Sequence, residues 1–144
     1  MNFEEKIIER LKRLEREVER LRVKESPGAW QDWTPTQTGW TALPTGTYRY
    51  CLMGKMCFFA IDITAGTSNS TEATLTLPFT VKSGVWYGGV NGLCVDNGVV
   101  LSVATKWYID TALSRLQFGT DMGAGLFTAS GTKRIRCEGF YEIA

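Results

Sequence analysis

The chain holds few of the side chains that catalysis and metal binding usually need. It has no histidine, so the commonest general base and metal ligand is missing. Its four cysteines include no C-x-x-C pair, and its serines and glycines form neither a G-x-S-x-G nor a phosphate-loop pattern. We therefore expect no metal, no cofactor and no enzymatic activity. Hydrolysis of glycans by two carboxylates that folding brings together is a weaker alternative.

Two cysteines lie on either side of a predicted hairpin turn. Cys51 and Cys57 flank Met53-Gly54-Lys55 symmetrically, and this spacing would allow them to face each other and form a disulfide. Buried free thiols are favoured, because no secretion signal is visible and cysteine is often fully buried. The spacing by itself leaves both alternatives open.

Two aromatic segments have the composition of a ligand-binding surface. Trp86 and Tyr87 are followed by glycines and by Asn91, which combines flat rings with an amide donor and acceptor. Such a set is suited to stacking on a sugar ring while hydrogen-bonding its hydroxyls. Trp107 and Tyr108 form a second candidate of the same kind. The alternative for both segments is a strand in the core or between subunits.

The composition excludes several classes of partner. Hydrophobic residues make up 44% of the 144 residues, charged residues 22%, and the net charge is +1. Such a balance predicts neither disorder nor nucleic-acid binding. The apolar runs are too short to cross a bilayer, so no membrane insertion is expected. The basic trio Lys133, Arg134 and Arg136 could contact phosphate or an acidic sugar, but its alternation is typical of a solvated strand face.

The charges divide the chain into two unlike segments. Residues 1–25 hold 8 of the 16 basic and 7 of the 15 acidic residues. The remainder carries most of the aromatic residues, together with many threonines and glycines, which favours strands and turns. We expect a stalk over residues 1–26, a Trp/Thr/Pro-rich collar over residues 27–46 and a head over residues 47–144.

The stalk has the heptad spacing of a coiled coil. In a parallel assembly Arg10 would face Glu15 of a neighbour and Glu17 would face Arg22, and both pairs are attractive. A single amphipathic helix packed on its own domain is the alternative, but the apolar stripe is narrow. The mixed branching of the apolar residues does not select an oligomer number. The apolar residues follow one another at spacings of 4, 3, 4 and 3, at Ile7, Leu11, Leu14, Val18 and Leu21.

The head shows a period of two in four stretches, which predicts half-buried strands. Turn signals separate these stretches, at Met53 to Lys55, Ala65 to Ser70, Ser83-Gly84 and Asn97-Gly98. Alternation interrupted by turns at this spacing predicts an antiparallel β-sandwich, jelly-roll-like in character, so the fold class is mainly β. The inward positions are Cys57, Phe59, Ile61 and Ile63; Leu75, Leu77, Phe79 and Val81; Val99, Leu101 and Val103; and Ile135, Cys137, Tyr141 and Ile143.

The collar contains three tryptophans between the stalk and the head. Trp30, Trp33 and Trp40 alternate with prolines and threonines in a stretch that reads as neither helix nor clean strand. Burial against the head or a neighbouring chain is favoured by their position beside the helix exit. A sugar-stacking platform is the alternative.

Four short segments with strand and turn residues follow one another along the chain. They are Trp33-Thr34-Pro35-Thr36, Thr47-Tyr48-Arg49-Tyr50 with Gly54-Lys55, Thr76-Leu77-Pro78-Phe79, and Gly139-Phe140-Tyr141-Glu142-Ile143. In this order they resemble the C-terminal receptor-binding modules of tailed-bacteriophage fibre and spike proteins. The resemblance covers about residues 30–144 and implies a short coiled coil leading into a trimeric β head that binds the host surface, often a saccharide.

The resemblance implies a homotrimeric virion protein that is assembled in the host cytoplasm and recognises a host-cell glycan. Only residues 1–6 precede the first seam residue, Ile7, so we expect contact with other virion proteins through the N-terminal region. The alternative is a capsid decoration protein or a neck or head appendage with a purely structural role.

The solution mass tests the coiled-coil interpretation. Light scattering on the full chain should give about three times the 16.1 kDa of one chain. If a chain that begins at Ala29 also has three times its own single-chain mass, the β heads themselves hold the trimer together. A monomer at micromolar concentration would contradict the heptad argument, because helices this short are marginal without a partner.

Overall fold

A computed structural model describes residues 3–24, 28–122 and 124–144, and within the helix it describes the side chains of residues 7–18. One N-terminal helix precedes two antiparallel sheets that form a β-sandwich. The predicted mainly-β architecture is therefore confirmed. The elements are α1 (Phe3–Lys24), β1 (Gln31–Asp32), β2 (Gln37–Thr38), β3 (Thr45–Met53), β4 (Met56–Thr67), β5 (Thr74–Thr76), β6 (Gly88–Val90), β7 (Leu93–Asp96), β8 (Val99–Val100), β9 (Lys106–Asp110), β10 (Arg115–Gly119) and β11 (Thr132–Glu142).

The helix α1 leaves its apolar seam exposed in the single chain. The side chains of Ile7, Leu11, Leu14 and Val18 are between 44% and 53% accessible. The side chains of Leu21 and Arg22, which the heptad pattern also assigns to the association surface, lie outside the described ones. Within the described parts of the chain, no helix is both long and apolar enough to span a bilayer.

The two longest strand pairings lie in the six-stranded sheet, whose order is β1-β3-β4-β11-β7-β8. There β4 pairs with β3 on one side and with β11 on the other. The five-stranded sheet has the order β2-β5-β10-β9-β6. Side chains from the inner faces of both sheets meet in one core, which includes Phe59, Leu116, Phe118 and Tyr141.

The period-two alternation holds in the long strands and fails at a sheet edge. Cys57, Phe59, Ile61 and Ile63 are all buried in β4, as predicted. In contrast, the half-buried strand expected from Val99 to Val103 is wrong: β8 spans two residues, and Val99 is 64% exposed. The reason is that β8 is the outermost strand and is paired with β7 alone.

Two other expected boundaries shift. Pro78 interrupts the predicted strand from Leu75 to Val81, because proline cannot donate to a ladder, and β5 ends at Thr76. The turn expected over residues 65–70 begins later, since β4 continues to Thr67 and pairs with β11 there.

The collar tryptophans have different environments. Trp33 packs edge-on against Tyr48 with ring centroids 5.9 Å apart, and its Nε1 donates to the carbonyl of Thr76. Trp40 is buried in the core of the sandwich. Trp30 is exposed and lies beneath the guanidinium of Arg49. Two of the three rings therefore pack on the β domain.

The hairpin register separates the two cysteines that might have formed a disulfide. Its loop has two residues, Gly54-Lys55, with Gly54 at a φ of 60°, so Met53 pairs with Met56. Cys51 then lies opposite Phe58, and Cys57 opposite Leu52, which places the two thiols on opposite faces of the sheet. All four cysteines are free and buried. Burial raises the pKa of the Cys94 thiol to about 11.

A buried ion pair ties the end of β7 to β11 and to the loop before β11. Lys133 is fully buried, and its Nζ lies 2.7 Å from Oδ1 of Asp96 and donates to the carbonyl of Ser130 at 2.6 Å. Oδ2 of Asp96 accepts hydrogen bonds from the backbone N–H and the hydroxyl of Thr128. Burial alone would raise the pKa of Asp96, but the hydrogen bonds from Lys133 and Thr128 outweigh it, so this pKa is lowered.

This ion pair predicts a loss of stability in acid. Because the folded state lowers the pKa of Asp96, its contribution is present above the unfolded value of about 4 and is lost as pH falls through the folded value. Asp96→Asn should cost about 3 kcal/mol at neutral pH, since it leaves Lys133 buried without its countercharge. Urea denaturation between about pH 7 and pH 3 measures both effects.

The matched control is Asp62→Asn, which removes a carboxylate paired with Arg136 on the solvated face of the same sheet. It should change the unfolding free energy by less than about 1 kcal/mol. An Asp96→Asn protein whose stability falls in acid as steeply as that of the wild type would contradict the assignment.

Candidate functional site

The strand β6 orients the first predicted aromatic segment. It forms an edge of the five-stranded sheet and pairs with β9, with Gly88 opposite Tyr108 and Gly89 opposite Trp107. A side chain at Gly89 would point into the core, because a Cβ there would lie 2.7 Å from the ring of Trp107. Gly88 and Val90 therefore face outward, since successive positions of a strand point to opposite faces.

Trp86 and Tyr108 lie on the same outer face of this sheet. Trp86 is 75% exposed, and its ring lies across Gly88, where a Cβ would be 2.4 Å from the ring edge. Because Gly88 is the cross-strand partner of Tyr108, the indole and the phenol are neighbours on one face. We name this pair, Trp86 and Tyr108, the aromatic platform.

Charged and polar groups surround the aromatic platform. Nζ of Lys106 lies 5.6 Å from the centroid of the Tyr108 ring. Burial raises the pKa of Tyr108, and the negative charge of Glu72 adds to the rise, so the hydroxyl stays protonated at neutral pH and can donate. A surface that joins an exposed indole to hydroxyl, ammonium and carboxylate groups can stack on an apolar face and hydrogen-bond around it.

The other two predicted aromatics point the opposite way. Trp107 is 5% exposed, and its ring packs edge-on against Phe59 with centroids 5.1 Å apart. Tyr87 is buried beside Tyr141, and its hydroxyl accepts a hydrogen bond from the backbone N–H of Glu142. Neither ring offers a face to a ligand. Adjacent positions of a strand point to opposite faces, so Tyr87 and Trp107 point inward while Trp86 and Tyr108 point outward.

Asn91 lies in the wall of a pocket that the sequence analysis did not identify. The pocket has a volume of about 510 Å³. It is lined by residues of β3, β4 and β11 in the six-stranded sheet and by Val90, Asn91 and Gly92, at the end of β6 and just after it. Its charged lining residues are Arg49, Asp62, Arg136 and Glu138. These four residues come from β3, β4 and β11, so only the strand register places them together. The one sequence signal for these side chains is the alternation of charged with apolar residues on the strands, which predicts that the charged ones face outward.

The basic trio near the C-terminus is divided by the fold. Lys133 is buried, Arg134 is exposed outside the pocket lining, and Arg136 lines the pocket, where its Nη2 lies 2.8 Å from Oδ2 of Asp62. Across residues 3–24, 28–122 and 124–144, no three His, Cys, Asp or Glu side chains lie close enough together to hold a metal ion.

Comparison with known proteins does not identify the chain. No protein-family model matches it, and neither the curated proteins nor the solved structures gave a significant match.

The two adjacent glycines of β6 should respond differently to substitution. Gly88→Ala needs only the exposed Trp86 ring to swing away, so we expect a change in unfolding free energy of less than about 0.5 kcal/mol. Gly89→Ala forces a methyl group into the buried ring of Trp107 and should cost about 1–3 kcal/mol. Equal effects of both variants in urea denaturation would contradict the assignment of the two faces.

Proposed function

We propose that the protein is a non-enzymatic, oligomeric adhesion protein whose β head binds a saccharide. Together with the resemblance to bacteriophage receptor-binding modules, this makes it a virion fibre or spike protein that recognises a host-cell glycan. The single observation that carries the proposal is the 75% exposure of Trp86 beside Tyr108 on one sheet face.

An exposed tryptophan offers a large apolar face to a ligand. Burying such a ring gains about 1.5–3 kcal/mol for a large apolar side chain, so folding normally hides it. The ring of Trp86 rests on Gly88, where there is no side chain to displace it. An aromatic face beside hydrogen-bonding groups matches the alternation of C–H and hydroxyl faces on a sugar ring.

Self-association is supported by the exposed seam of α1. A helix of 22 residues that buries none of its described apolar side chains has little stability alone. Parallel pairing of copies would bury the seam and join Arg10 to Glu15 and Glu17 to Arg22. The parallel coiled coil belongs to the proposal through the heptad pattern, and the jelly-roll-like head through the strand alternation and turn spacing. The trimer and the contact with other virion proteins through the N-terminal region belong to it through the family resemblance.

A structural role is the second candidate, and the exposed valines at one edge of the six-stranded sheet favour it. Val99, Val100 and Val103 are each at least 59% exposed, and they lie within or just after the edge strand β8. Such an edge would be covered in a capsid decoration protein or a neck appendage. This candidate requires no saccharide ligand.

A glycan array tests the proposed function. The wild type should bind at least one member of a panel of immobilised hexose, N-acetylhexosamine and uronic-acid oligomers. Trp86→Ala should weaken that binding about tenfold or more, because it removes the stacking face. Met53→Ala is the control, since it shortens another exposed large apolar side chain, at the β3–β4 turn and outside the pocket lining, and should leave binding unchanged.

Three outcomes would contradict the proposal. Binding of no saccharide by the wild type would favour the structural role. Equal binding by the wild type and Trp86→Ala would move the ligand away from the aromatic platform. Release of new reducing ends from the oligomers would show that the protein is an enzyme.

A further inference from the structure

We propose that the pocket lined by Arg49, Asp62, Arg136 and Glu138 is a second saccharide subsite next to the aromatic platform. The ligand is then an oligosaccharide of at least two residues, with one residue stacked on the platform and the next one in the pocket. This inference rests on the proposed function and adds the length of the ligand to it.

The strand register builds the pocket from two rows of side chains. Asp62 of β4 pairs with Arg136 of β11, and in the next row Ala60 lies between Arg49 of β3 and Glu138 of β11. The methyl group of Ala60 leaves space between these two long charged side chains. The resulting volume of about 510 Å³ is within the range of small-molecule sites.

The charges in the pocket favour a neutral polyol. Two guanidinium groups and two carboxylates line it, so the lining has no net charge and does not select an anion. Asp62 is already paired with Arg136 at 2.8 Å, and Arg49 lies 3.6 Å from Asp32 outside the pocket. Glu138 forms no ion pair among the described residues and can accept from two hydroxyls.

Hydrogen bonds hold the wall of the pocket at Asn91 and Gly92 in place. Asn91 is 8% exposed, and its Nδ2 donates to Oγ1 of Thr105 and to the carbonyl of Lys106, each at 3.0 Å. The backbone N–H of Gly92 donates to the carbonyl of Arg136 at 2.7 Å. These hydrogen bonds fix the wall before a ligand binds.

Val90 connects the pocket to the aromatic platform. It lines the pocket and lies two positions after Gly88, on the same face of β6 that carries the ring of Trp86. Two residues of a strand span roughly 6–7 Å, which is close to the width of one sugar ring. A chain of sugars that crosses Val90 would therefore touch both surfaces.

Binding as a function of oligomer length tests this inference. The probes are soluble hexose, N-acetylhexosamine and uronic-acid oligomers of one to six residues, titrated into the full chain. For the class that binds, two residues should bind at least about tenfold more tightly than one. Glu138→Gln should remove that gain and leave the single sugar unchanged, whereas Trp86→Ala should weaken both. Glu142→Gln is the matched control, because its carboxylate follows on the same strand and pairs with Lys82 outside the pocket.

The outcomes separate the two proposals. Loss of the length-dependent gain in Glu138→Gln, with thermal unfolding unchanged, supports the subsite. Wild-type binding of all lengths by Glu138→Gln, together with loss of binding in Trp86→Ala, overturns the subsite and leaves the proposed function intact. An equal loss for one and for several residues in Glu138→Gln also overturns the subsite, because the pocket would then hold the first sugar. No binding by any length overturns both.

Discussion

The ring of Trp107 is held between two glycines that belong to different sheets. A Cβ on Gly89 of β6 would lie 2.7 Å from this ring, and one on Gly139 of β11 would lie 2.3 Å from it. Phe59 of β4 packs edge-on against the ring of Trp107, with the two ring centroids 5.1 Å apart. Because Trp107 needs both glycines, this packing joins the edge of the five-stranded sheet to the centre of the six-stranded sheet. This contact sets which residues of β6 and β9 point inward.

The aromatic platform is a consequence of that buried contact. With Trp107 pointing inward, the alternation of β9 turns Tyr108 outward, and the pairing of β9 with β6 turns Gly88 outward beside it. The ring of Trp86 then lies over Gly88 and remains exposed. A core interaction and a candidate binding surface are thus two faces of the same strand pair. Loss of the core contact would disorganise the surface as well.

The alternation of inward and outward side chains also determines the outer face of the six-stranded sheet. On β4 and β11 most inward residues are apolar and build the core, with Lys133 as the charged exception, and Asp62, Arg136 and Glu138 lie on the opposite face. Exposed ion pairs such as Arg136–Asp62 contribute little to stability, so these residues are free to serve recognition. Stability instead comes from buried groups, including the pair of Lys133 with Asp96.

Local pattern by itself determined the helix at the N-terminus, the β class of the remainder, the inward face of β4 and the two-residue turn at Asn97-Gly98, where both residues have positive φ. Each of these depends on neighbours within a few positions. Tertiary structure decided which of Trp86, Tyr87, Trp107 and Tyr108 are exposed, because adjacent aromatics alternate and the sequence does not say which phase is buried. It also decided that Cys51 and Cys57 lie apart, since one residue more or less in the turn changes which side chains share a face of the sheet. Finally, it assembled a pocket from residues up to 91 positions apart, Thr47 to Glu138. Strand pairing over such distances has no local signal, so only the packed fold brings those side chains together.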